Sequence, residues 1–84
     1  MSFRVEVRRP AEKELGRLSH DTQKRVAAAL LRLAEEPFPS GFKKLKGSDG
    51  YRIRVGDYRI LYTVDPTARR VVIAAIGHRK EVYR

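Results

Sequence analysis

The chain has 84 residues, which is one domain over 1–84 with one modest core. Its 42% hydrophobic content excludes a disordered chain, and the absence of cysteine excludes disulfides and thiolate metal sites. The net charge of +9 is uneven: residues 41–84 carry eleven Lys/Arg against four Asp/Glu, and residues 1–40 carry eight against six. Such an excess points to a polyanionic partner, nucleic acid first and an acidic protein second. Thirteen of the nineteen cations are arginine, the residue suited to fixed phosphate or carboxylate contacts. No apolar run is long enough to span a membrane, and MSFRVEVRRP lacks a signal-peptide core, so a cytoplasmic location is expected.

In chain order, residues 3–8 alternate Phe3, Val5 and Val7 with charged neighbours, which predicts a half-buried strand. Pro10 suits the first turn of a short helix over 10–18, with Ala11, Leu15 and Leu18 on one stripe. Ser19 reads as the N-cap of a second helix over 20–36, whose buried face is Val26, Ala27, Leu30, Leu33 and Ala34. Pro37 and Pro39 end it. Residues 37–50 read as one extended loop that carries Lys43, Lys44 and Lys46, with Phe42 and Leu45 as anchors. Strands follow at 51–55, 58–64 and 71–77, the last apolar enough to be central and covered on both faces. The fold class is therefore α+β, in the order β-α-α-β-β-β. A helical hairpin packs on one face of a small, mainly antiparallel twisted sheet.

Gly56-Asp57 is a two-residue hairpin signal. It pairs Val55 with Tyr58, Arg54 with Arg59, Ile53 with Ile60, Arg52 with Leu61 and Tyr51 with Tyr62. The three tyrosines Tyr51, Tyr58 and Tyr62 then fall on the apolar face with Ile53, Val55 and Ile60. The other face carries Arg52, Arg54 and Arg59, with Arg54 and Arg59 directly opposed. Like charges so placed call for an anion. The tail adds His78, Arg79, Lys80 and Tyr83, groups able to move protons or stabilise charge. Two distant histidines and no carboxylate cluster do not make a metal site, and no cofactor is expected.

The element order, the run YRIRVGDYRILYTV and the ending IGHRKEVYR resemble the RelE/ParE toxin superfamily of toxin–antitoxin pairs, over nearly the whole chain. The resemblance to the RelE branch implies a toxin of a type II system, a metal-independent mRNA interferase. Such a toxin enters the ribosomal A site and cuts mRNA by 2′-OH attack on the adjacent phosphate. By similarity the catalytic set falls on Arg52, Arg54, Arg59, Arg79 and Tyr83. The lysines of the loop and tail, Lys43, Lys44, Lys46 and Lys80, are expected to bind RNA through their charge. The family often has lysines on the first hairpin strand. Arginine cannot practically release its proton, so His78 becomes the general acid–base candidate. The implied partners are an acidic RelB-like antitoxin, the ribosome and mRNA, with operator DNA reached only through the antitoxin. A ParE-like inhibitor of DNA gyrase and an inactive antitoxin-binding homologue are the alternatives.

Overall fold

The structure, a computed structural model, describes residues 2–78. Strand β1 (Arg4–Val7) leads into helix α1 (Arg9–Arg17) and helix α2 (His20–Glu35). Four strands follow: β2 (Lys43–Lys44), β3 (Tyr51–Val55), β4 (Tyr58–Asp65) and β5 (Arg70–His78). The sheet order is β1-β5-β4-β3-β2, with β1 parallel to β5 and the other pairs antiparallel. Among the described residues no helix is long and apolar enough to cross a membrane.

Local chemistry accounts for the helices. Pro10 sits in the first turn of α1, where a missing N–H is harmless. The Ser19 hydroxyl accepts from the Thr22 N–H and caps α2. The Gln23 side-chain amide donates to the Leu15 carbonyl at 2.9 Å, tying the two helices at their junction. The face of α2 is narrower than its sequence pattern suggests. Val26, Leu30 and Leu33 are buried, but Ala27 is exposed. Ala29 packs against the core instead.

One core joins the helices to one side of the sheet. Ala11, Val26, Leu30 and Leu33 meet Ile53, Ile60, Tyr62, Val71, Ile73 and Ile76. Fully burying each of the large aliphatic side chains contributes roughly 1.5–3 kcal/mol. Tyr62 is only 1% exposed, and its hydroxyl donates to the Pro37 carbonyl at 2.7 Å. That bond fastens the chain leaving α2 onto the middle of the sheet. Burial, with Tyr51 and Glu36 nearby, pushes the Tyr62 phenol up to about 12.

Two expectations are corrected. The 37–50 segment is not all loop, because Lys43 pairs with Arg52 and Lys44 with Tyr51 as a short edge strand. Strand β5 is central, between β1 and β4, but both helices join a core on one face only. On the opposite face Val72 and Ala75 are half-buried.

The β4–β5 ladder contains a bulge. Leu61 pairs with Ala75 and Tyr62 with Ile73, leaving Ala74 as an extra residue. The large side chains of β5 therefore reach the core at Val71, Ile73 and Ile76, a spacing that breaks strict alternation.

Candidate nucleic-acid interface and active site

Hairpin β3–β4 has the register its turn signal predicts, from Tyr51↔Tyr62 through Val55↔Tyr58. Gly56 takes φ 60 and is the turn residue with positive φ, the arrangement of a type II′ turn. Directly paired residues share a face, so Arg52, Arg54 and Arg59 lie together on the side away from the helices. Arg54 is exposed; Arg52 and Arg59 are half-buried. The Arg59 Nε is itself buried, so this guanidinium is held close to the sheet rather than swung into solvent.

The neighbouring strands extend this surface as two rows. One runs Lys43, Arg52, Leu61, Ala75 and the next runs Arg54, Arg59, Gly77. Alanine and glycine place little side-chain bulk beside the arginines, Ala75 half-buried and Gly77 buried. Lys43 belongs to this surface, and a two-residue strand is too short for periodicity to reveal that in the sequence. Lys44 alternates to the other face, 5.8 Å from the Tyr51 ring, and donates to the Ser48 carbonyl. Lys46 is exposed and belongs to no strand.

His78 does not share the arginine face. The bulge at Ala74 shifts the phase of the last residues of β5, so His78 pairs with Tyr58 on the helix side. Their rings meet edge-on, with centroids 5.6 Å apart. The sequence carried a signal for this in the spacing of Val71, Ile73 and Ile76, which no regular strand can bury together. Arg79, Lys80 and Tyr83 lie outside the described residues. Strand β5, which precedes them, does run beside β4 as a meander requires.

Chemically, the surface is a clamp of fixed cations. Guanidinium groups offer paired donors to phosphate oxygens and stay charged throughout a reaction. Among the described residues there is no group of three or more His, Cys, Asp or Glu side chains able to hold a metal ion.

Comparison with known proteins agrees with this architecture. A family model described as "ParE toxin of type II toxin-antitoxin system, parDE" matches residues 5–83. The RelE1 protein of Methanocaldococcus jannaschii is 33% identical over 88 residues, covering 100% of this chain and 98% of the relative. The chain resembles the RelE of an archaeal RelE–RelB complex from Pyrococcus horikoshii with a TM-score of 0.86 at 30% identity, over 98% of this chain and 100% of that one. It also resembles a chain of the toxin–antitoxin complex RelBE2 from Mycobacterium tuberculosis, with a TM-score of 0.85 at 27% identity, over 94% and 100% of the two chains. With the fold, the hairpin register and the match across 5–83 in agreement, the chain belongs to the ParE toxin family and is a toxin of the RelE/ParE type.

Proposed function

We propose that the protein is a metal-independent endoribonuclease that cuts mRNA in the A site of the ribosome. The observation that carries this reading is the grouping of Arg52, Arg54, Arg59 and Lys43 on one sheet face beside Ala75 and Gly77. A surface of that kind fits a phosphodiester whose charge rises during the reaction. In the proposed reaction the 2′-OH attacks the adjacent phosphorus, a 2′,3′-cyclic phosphate forms and the 5′-oxygen leaves with a proton. Arg52, Arg54 and Arg59 hold the phosphate and stabilise the added negative charge. By family similarity Arg79 serves the leaving oxygen, and Tyr83 orients the 2′-OH or stacks on a base. His78 faces away from the clamp, so transition-state charge stabilisation, rather than a histidine base, is assigned the larger share of the rate. The partners are an acidic RelB-like antitoxin, matching the +9 charge, together with the ribosome and mRNA.

The test is primer extension on messenger RNA bound to translating ribosomes. Purified protein should leave cuts at the A-site codon, and Arg59→Ala should abolish them. Intact message with the unaltered protein would remove the reading.

A second reading has one specific observation in its favour: the matching family description names parDE. Under it the same basic face contacts DNA gyrase. Accumulation of gyrase cleavage complexes in a supercoiling assay, with ribosomal message left intact, would select it.

A further inference from the structure

The outer edge of β3 is covered by β2 only at Tyr51 and Arg52. A cleft of about 610 Å³ lies there, between the end of α2, the chain around Ser40 and the edge of β3. That volume is within the range of small-ligand sites. Arg32, Lys43, Arg52 and Arg54 line it, and no Asp or Glu does so among the described residues. Arg32 and Lys43 form no ion pair with a described residue. Helix-dipole complementarity accounts for a cation in the last turn of α2. It does not account for that cation opening onto a cleft with three more.

The basic cleft at the opposite end of the sheet makes a useful contrast. It is lined by Arg4, Arg69 and Arg70, but Arg70 lies 3.6 Å from Glu6 and pairs in register with Asp65. One of its three cations is thus met within the protein. In the α2–β3 cleft neither Arg32 nor Lys43 has such a carboxylate among the described residues, and the cleft shares Arg52 and Arg54 with the arginine face. Pro39 and Ile53 give it an apolar wall, and Ser40 adds a hydroxyl.

We propose that this cleft holds the nucleotide of single-stranded RNA next to the scissile bond, with its phosphate between Arg32 and Lys43 and its base against Pro39 and Ile53. This assignment rests on the RNA-cutting reading. It adds Arg32, from a helix, to a site otherwise built from strands. A substrate that reaches from the arginine face round the sheet edge is then gripped at two successive phosphates.

The probes are adenosine 3′,5′-bisphosphate and adenosine 5′-monophosphate, with binding measured by calorimetry. The unaltered protein should bind the bisphosphate about tenfold more tightly, the margin of one further charged contact. Arg32→Ala should remove that margin while leaving the monophosphate affinity in place, and Lys43→Ala should remove the margin as well. Arg59→Ala should weaken both ligands. Arg32 is exposed and alanine is a good helix former, so the variant should keep the helical circular dichroism of the parent. Survival of the tenfold margin in Arg32→Ala overturns the assignment. So does an unaltered protein that binds the two nucleotides equally. If Arg32→Ala lowers affinity for an oligo-glutamate peptide but not for the bisphosphate, the cleft receives an acidic protein and the assignment falls. Ribosomal message cut while the margin survives Arg32→Ala removes the cleft alone. Message left intact while the margin depends on Arg32 removes the RNA-cutting reading and leaves the nucleotide site standing.

Discussion

Arg54 and Arg59 face each other directly across the β3–β4 ladder, two like charges in register on one face. Opposed like charges destabilise a sheet by roughly 0.2–1 kcal/mol. Arg54→Ala should therefore raise the melting temperature slightly, more at low salt than at high. The same substitution should lower the rate of ribosomal cleavage by about 10²–10³-fold, the usual loss for one charge-stabilising donor. Calorimetry and a cleavage time course on the same preparation read the two effects, and movement of both in one direction would sink the pairing.

His78 gives a contrasting result. Its edge-on contact with Tyr58 is worth about 0.5–1.5 kcal/mol, so His78→Ala should lower stability by that order. Cleavage should stay within a few-fold of the parent. The pH–rate profile should have the same shape in the parent and in His78→Ala. An inflection of the parent that disappears in the variant would put the imidazole back in the chemistry.

Tyr62 links stability to alkaline pH. Its phenol titrates near 12 when folded, against an ordinary value of 10. Between those values the folded state keeps a proton that the unfolded chain has released. The contribution is therefore complete below pH 10 and declines as pH rises toward 12, by up to about 3 kcal/mol. Tyr62→Phe should remove this alkaline component of the decline. It should also cost about 1–3 kcal/mol at neutral pH, because the Pro37 carbonyl loses its donor. Urea denaturation at a series of pH values separates the two.

Gly56 adopts φ 60, and a Cβ there would lie 3.4 Å from Nη1 of Arg25. Gly56→Ala should destabilise the fold by roughly 1–2 kcal/mol through backbone strain in the left-handed region. Gly56→Asn, which tolerates that conformation better, should recover part of the loss. Equal melting temperatures for the parent and the alanine variant would contradict the turn assignment.

Most of the hairpin was legible in the sequence because its information is local. Gly56-Asp57 sets the loop, the alternation sets the faces, and together they place Arg52, Arg54 and Arg59 before any tertiary contact is known. Ser19 and Pro10 mark the helix starts for similarly local reasons. What escaped depends on long-range pairing. Lys43 joins the site through two residues of edge strand, too few to show a period. Arg32 sits on a helix whose pattern speaks only of its buried side, so its neighbourhood with Arg54 exists only once α2 is docked. His78 was displaced by Ala74, a residue whose small side chain suits either environment and therefore announces neither.

That bulge also bears on how such a chain can vary. Removal of Ala74 would keep every arginine of the hairpin and nearly every residue of the core. Continuing the Tyr62↔Ile73 alignment without it sets Ala75 opposite Leu61 and Ile76 opposite Ile60, the pairs that the bulged strand already makes. Loss of that one codon would thus leave each of the strand's last residues on its present surface. The gene can therefore shed this position in frame with its charged face intact, whereas one residue added after Ala75 would exchange the two surfaces.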